Sequence, residues 1–261
     1  MPSLLDQPVL SQRYFFPRPD VPAAPLVRVE VGEAVLACCH EPGGPGAPTV
    51  LFFHGNGEVV ADYHPWLIDE WRKRGFGVFL AEYRGYGGST GTPCLVGMLA
   101  DVDALLAASG CAPREVLVFG RSVGSIYALE LAARHPDIAG LVIESGIADP
   151  LERIRLRVHA AELGTTDEAL EREVAAHLDH RRKLASLHGP LLVLHGEHDS
   201  LVDSSHGKRL AAWGPRDRTQ LVMLSEGDHN SVMIQNWDEY WRTIDSFVDR
   251  VFPPGRRPGA L

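Results

Sequence analysis

Short apolar runs recur along the chain: TVLFFH (49–54), GVFLAEY (77–83), EVLVFG (115–120), GLVIES (140–145), PLLVLH (190–195) and QLVMLS (220–225). Each is continuous, the pattern of a strand covered on both faces. Ahead of them, LVRVEV (26–31) alternates, which predicts a half-exposed antiparallel edge strand. Helical periodicity fills most of the intervals. Leu99, Val102, Leu105 and Leu106 share one helical face, and Ile234, Trp237, Trp241, Ile244, Phe247, Val248 and Val251 draw a long amphipathic stripe. Strand and helix alternating in this way predict an α/β fold with a doubly wound, mostly parallel sheet.

Residues 147–187 break the alternation. They carry two helical patterns with no strand between them, LERIRLRVHAAEL and DEALEREVAAHLDHRRKL, and Thr165 with Glu168 fits a capping box that would start the second. Two helices inserted between sheet strands predict a small helical lid over one edge of the sheet, and so a modest pocket. The expected organisation is a proline-rich, surface-wrapping segment over 1–25, one domain over 26–252 that includes the lid, and a flexible tail over 253–261. There is no internal repeat.

Composition narrows the function classes. A hydrophobic share of 45% in 261 residues supports a sizeable core. The net charge of −9 argues against an electrostatic binder of nucleic acid or anionic membrane. No stretch approaches the roughly 20 apolar residues of a membrane span, and the N-terminal residues lack the charged and apolar regions of a secretory signal. The cysteines Cys38, Cys39, Cys94 and Cys111 show neither metal nor redox spacing and read as reduced thiols. Cys38 and Cys39, being adjacent, should point to opposite faces of a strand. The expected setting is cytoplasmic, with a small-molecule partner and no cofactor; oligomeric state is not legible.

The chemistry concentrates at Gly120-Arg121-Ser122-Val123-Gly124, where a buried strand gives way to a helix. In G-x-S-x-G the turn is too tight for flanking side chains, and the serine is left exposed in a strained conformation above the sheet. A serine hydroxyl needs a base, and the base needs an orienting acid. In this topology the order along the chain is serine, acid, histidine, each on a loop at a strand's C-terminal end. Asp199 follows PLLVLH and His229 follows QLVMLS, on the same sheet edge as Ser122. Glu197 and Asp203 compete with Asp199 for the acid's role, and His206 and His198 are weaker substitutes for His229. Two backbone donors should face the developing oxyanion: the N–H of Val123, directly after the serine, and the N–H of Asn56 in the loop FFHGNGE.

The motifs LFFHGNGE, EYRGYGGSTG, GRSVGS, HGEHDSLV and GDHN, in this order, resemble the α/β-hydrolase superfamily. They look most like the branch of small serine hydrolases that includes protein depalmitoylases and many bacterial hydrolases. The resemblance spans residues 48–250. It implies the α/β-hydrolase fold, Ser122 as nucleophile, Asp199 as acid, His229 as base, Asn56 and Val123 at the oxyanion hole, and no cofactor or metal. There are departures. Glu82 stands where an aspartate is usual, Asp228 stands where glycine is common, and the cysteine-rich, lipid-modified N-terminus of the mammalian depalmitoylases has no counterpart.

The expected activity is hydrolysis of carboxylic esters or thioesters. Alternatives are amide or peptide cleavage on the same residues, acyl transfer or perhydrolysis, and a small-molecule receptor that binds without turnover. His195, Glu197, His198 and Asp199 read poorly as a metal cluster, because consecutive side chains diverge and no third-ligand pattern follows. GYGGSTG lacks the lysine of a phosphate loop, and packing near the site accounts better for its glycines. His54 is expected to pack behind the oxyanion loop, and Arg121 to reach a carboxylate beside the elbow. The run RIRLRVH, with Arg153, Arg155 and Arg157, reads as a solvated helix face in preference to a receptor for an anionic substrate.

Overall fold

Six apolar runs form the body of an eight-stranded sheet in the computed structural model, which describes residues 3–253. The strands are β1 (Val27–Val31), β2 (Ala34–Glu41), β3 (Thr49–Phe53), β4 (Gly77–Ala81), β5 (Val116–Arg121), β6 (Gly140–Glu144), β7 (Leu191–Gly196) and β8 (Thr219–Leu224). Their spatial order is β1-β2-β4-β3-β5-β6-β7-β8. β1 and β2 pair antiparallel, β2 joins β4 antiparallel, and the remaining pairings are parallel.

Every residue of β3 to β7 is buried, as continuous apolar runs require. Alternate side chains enter two cores on opposite faces: Leu51, Phe53, Val116 and Val118 on one, Val50, Phe52, Leu117 and Phe119 on the other. Cys38 joins the first core and Cys39 the second. β1 alternates as expected. β2 has no run of its own in the sequence reading. It emerges as the partner that ties β1 to β4, entered through Gly32 at φ 59. β8 departs from expectation in the other direction. Its sequence reads as fully covered, yet most of it is only half-buried, because it is an edge strand flanked by β7 alone.

The sheet's order reverses beside β3: the chain moves one way to β4, then returns past β3 to β5. A ligand crevice opens at such a reversal, outside the carboxyl ends of the strands. The loop after β3 and the turn after β5 both lie there.

The helix Asp101–Ala108 buries Val102, Leu105 and Leu106 as predicted, with Leu99 in the 3-10 turn before it. The helix Trp237–Val251 buries Tyr240, Trp241, Ile244, Phe247 and Val248. Two members of the predicted stripe fall off it: Ile234 sits on a separate short helix at 68% exposure, and Trp237 at the helix start is 39% exposed. Residues 147–187 hold more, shorter elements than the two helices expected. Helices span Pro150–Arg155, Asp167–Leu178 and His180–Ala185, with a 3-10 turn at Ala160–Leu163. Thr166, one residue beyond the predicted Thr165, is the cap, its hydroxyl accepting from Ala169 N at 3.2 Å. Asp179 interrupts the long pattern by capping a new helix through Arg182 N.

The N-terminal segment does more than run over the surface. Its helix Pro8–Tyr14 buries Leu10 and Tyr14, Asp6 accepts from Val96 and Gly97 N, and Arg13 pairs with Glu162. The tail expected over 253–261 lies outside the described residues from 254 onward.

Candidate active site

Ser122 follows the last residue of β5 and takes φ 51, a left-handed conformation that a non-glycine residue adopts only under constraint. Its neighbours explain the glycines. A Cβ on Gly124 would lie 2.2 Å from the Phe53 carbonyl oxygen, and one on Gly120 would lie 2.6 Å from Ala128 Cβ. The turn is fixed by the Ser122 N–H donating to Glu144 O at 2.9 Å and by the Ser125 hydroxyl donating back to Ser122 O at 2.6 Å. The helix Gly124–Arg134 then begins directly beneath the serine.

The loops after β7 and β8 bring Asp199 and His229 to the same edge. Asp199 Oδ2 lies 2.7 Å from His229 Nδ1, and His229 Nε2 lies 2.9 Å from Ser122 Oγ. A carboxylate only accepts, so Nδ1 carries the proton and Nε2 accepts from the serine hydroxyl. Asp199 Oδ1 accepts from the Leu201 and Val202 N–H groups at 3.0 and 2.8 Å. Burial works to raise the Asp199 pKa; the His229 hydrogen bond and charge, with the Val202 N–H, outweigh it and hold the carboxyl below its usual range. All three side chains are buried.

The competing candidates lie elsewhere. Glu197 and His198 face solvent, and Asp203 accepts from Ser205 N ahead of the helix Ser205–Trp213. His206 accepts from Ala148 N and pairs with Glu152. Among the described residues no group of three or more His, Cys, Asp or Glu side chains is arranged to hold a metal. His195 instead donates to the Val202 carbonyl at 2.8 Å.

Asn56 and Val123 line the cavity that holds Ser122 and His229, a space of about 280 Å3. Among the described residues neither backbone N–H donates to a protein acceptor. The Asn56 side chain has a role the sequence did not announce. Its Oδ1 accepts from Phe16 N and the Tyr86 hydroxyl, and its Nδ2 donates to Tyr14 O, binding the N-terminal segment to the loop after β3. Behind that loop, His54 Nδ1 faces Gly55 O at 2.8 Å and Nε2 faces Glu82 Oε1 at 2.7 Å. Both partners are acceptors, so both ring nitrogens carry protons. Burial opposes that charge, but the Glu82 carboxylate prevails and raises the His54 pKa. Glu82 also accepts from Val60 and Tyr83 N, which gives the longer side chain its use.

Arg121 reaches two carboxylates. Its Nε donates to Glu144 Oε1 at 3.0 Å, its Nη1 bonds Glu58, and its Nη2 donates to the His229 carbonyl at 3.0 Å. The Tyr63 and Tyr240 hydroxyls donate to Glu58 and Glu144, completing a buried network. Burial would raise the Glu58 pKa, but the Arg121 charge and the Tyr63 hydroxyl hold it down. No local pattern marks Glu58 as a partner of Arg121, 63 residues away in the chain, or Tyr240 as a partner of Glu144. Asp228 also gains a purpose: its carboxylate accepts from Ser200 N at 3.1 Å and from its neighbour His229 N, tying the loop of Asp199 to the loop of His229.

The three-arginine run divides, against the expectation of a single solvated face. Arg155 faces outward, but Arg153 and Arg157 line the Ser122 cavity.

Comparison with known proteins agrees with this architecture. The model of the serine aminopeptidase S33 family matches residues 45–172, which contain the elbow and the loop after β3. Alpha/beta hydrolase domain-containing protein 17B of Xenopus tropicalis is 27% identical over 218 residues, covering 82% of this chain and 70% of that protein. The Homo sapiens protein of the same name is 26% identical over 220 residues, covering 82% and 71%. Among solved structures, the esterase Pf2001 of Pyrococcus furiosus superposes with a TM-score of 0.70 at 19% identity, covering 90% of this chain and 99% of that one. Mouse alpha/beta hydrolase domain-containing protein 10 gives 0.67 at 18%, covering 87% and 100%.

Sheet order, elbow and structural likeness together define the α/β-hydrolase fold. Within that fold the chain is similar to the serine aminopeptidase S33 family and to the alpha/beta hydrolase domain-containing 17B proteins. Among the described residues no helix is long and apolar enough to cross a membrane.

Proposed function

We propose that this protein hydrolyses carboxylic esters or thioesters through an acyl-enzyme on Ser122. The observation that carries the reading is the hydrogen-bonded line Ser122–His229–Asp199 ending on a serine held at φ 51. Ser122 Oγ attacks the carbonyl carbon while His229 Nε2 takes its proton. The Val123 and Asn56 N–H groups stabilise the tetrahedral oxyanion. The carbonyl–O or carbonyl–S bond then breaks, and the leaving group departs with the proton from His229. Water, deprotonated by His229, releases the acid and restores the serine. Asp199 holds the imidazole in the tautomer that makes Nε2 the acceptor. Residues 147–187 act as a small lid, since Ile147, Arg153 and Arg157 close one side of the cavity. Four free cysteines fit a reducing, cytoplasmic setting.

The test is turnover of aryl oxoesters and matching thioesters across a series of acyl lengths, with Ser122→Ala as the blank. Ser122-dependent release of acid supports the reading, and absence of turnover on every ester overturns it. The match to a serine aminopeptidase model favours one second reading, amide cleavage. Aryl amides in the same assay decide between the two.

A further inference from the structure

Arginines on one surface usually find carboxylates, and here most do. Arg155 Nη2 lies 2.7 Å from Glu171 Oε1, Arg13 pairs with Glu162, and Arg121 is held between Glu58 and Glu144. Arg153 and Arg157 differ. Among the described residues neither has a carboxylate partner. The bond Arg153 makes is from Nη1 to the Leu201 carbonyl at 2.7 Å, and the Arg157 guanidinium lies over the Phe16 ring at 5.3 Å. Each keeps several N–H donors free.

Their position gives this meaning. Both line the cavity of Ser122 and His229, and no aspartate or glutamate lines it with them. Tyr14 lines it too, at 5% exposure, and its hydroxyl has no partner among the described residues. Burial pushes the Tyr14 pKa up to about 12, and the charges of Arg153 and Arg157 oppose that rise. In a chain of net charge −9, the space beside the nucleophile is locally positive and rich in donors. The two carry like charge; Asp199 is engaged by His229 and by the Leu201 and Val202 N–H groups, and no carboxylate lines the cavity to offset them. A ligand anion would.

We propose that the substrate carries an anionic group, a carboxylate or a phosphate, which Arg153 and Arg157 hold while its ester or thioester carbonyl lies at Ser122. The inference rests on the serine-hydrolase reading above. Guanidinium forks match both anions, and the small cavity keeps the anion within a short acyl or leaving group of the carbonyl.

Paired substrates test it. On the acyl side, the aryl monoester of glutarate is compared with the aryl ester of valerate. On the leaving-group side, the butyryl thioester of 2-mercaptoethyl phosphate is compared with that of 2-mercaptoethanol. The expected result is that the anionic member of at least one pair has kcat/KM about tenfold or more above its neutral partner at low salt. That ratio should fall by about tenfold in the Arg153→Gln/Arg157→Gln double variant and persist in Arg155→Gln. The pair that responds tells a carboxylate on the acyl group from a phosphate on the leaving group. No anionic advantage in either pair, or one that survives in the double variant, overturns the proposal.

Calorimetric binding of the same four compounds to Ser122→Ala reads the arginines without turnover. Tighter binding of an anionic member, lost on adding the two glutamines, supports the proposal even if no ester is cleaved. Equal binding within both pairs overturns it. Absence of Ser122-dependent turnover with such binding intact would overturn the hydrolase reading alone.

Discussion

Two cavities meet at Arg121 and His229, and they are built on opposite terms. The one that holds Ser122, of about 280 Å3, presents free donors: unpaired Arg153 and Arg157. The other, of about 430 Å3, is walled by Tyr63, Trp66, Trp71, Tyr240 and Trp241, and the carboxylates Glu58 and Glu144 on its wall are bonded to Arg121 and the tyrosine hydroxyls. In the second, charge is consumed in holding the molecule together. In the first, charge is left over. Unspent polar capacity beside the strained Ser122 marks the place where the proposed chemistry would be done, whereas a satisfied network marks a joint.

The sharpest way to break that comparison is to remove the reacting groups. Ser122→Ala and His229→Ala should each lower kcat by about 10^3-fold or more without unfolding the protein, and Asp199→Asn should lower it by about as much through the wrong imidazole tautomer. Steady-state rates together with thermal melts check this. A loss of activity that tracks a loss of melting temperature would make these residues structural.

At the joint the expectation reverses. Arg121→Met strands the buried Glu144 and the half-buried Glu58 and should cost about 3 kcal/mol, read by urea unfolding. A variant of unchanged stability would show that the network holds nothing.

Acid should act on a third place, His180, buried at the start of the helix His180–Ala185 with Nδ1 donating to Ile147 O. Burial, helped by the Lys183 charge, lowers its pKa to about 3. The unfolded chain takes up a proton near pH 6.5 that the folded chain refuses, so the stability this histidine contributes is lost as pH falls from about 6.5 toward 3, by up to a few kcal/mol. Stability measured against pH for the wild type and for His180→Gln should show a shallower slope in the variant; equal slopes would remove His180 from the account. The smallest effect is expected at Asp228→Gly, which cuts the tie between the loops of Asp199 and His229. kcat should drop a few-fold with KM little changed, and an unaltered kcat would show that the base's loop holds its own position.

The strands β3 to β7 were legible because a buried parallel strand demands an unbroken apolar run, a requirement local to five or six residues. Ser122, Asp199 and His229 could be picked out for a related reason: the proposed chemistry asks for each at the end of a strand, in a fixed order along the chain. β2 escaped notice because its definition lies in its partners, β1 and β4. β8 read as covered because edge position is a property of the sheet's order, to which its own residues do not testify.

The sequence by itself determined the parallel sheet, the elbow and the residues arrayed along its edge, since each follows from period, turn chemistry or chain order. Only the tertiary structure decided which arginines of RIRLRVH line the cavity. The helix Pro150–Arg155 stops short of the run's end, so Arg157 leaves the helical face that a continuous period would give it. Only the tertiary structure, too, brought Glu58, Glu144 and Tyr240 to Arg121 and Tyr14 to the cavity. Those contacts join segments tens of residues apart, and their energy depends on burial and neighbouring charge, which exist only once the chain has closed.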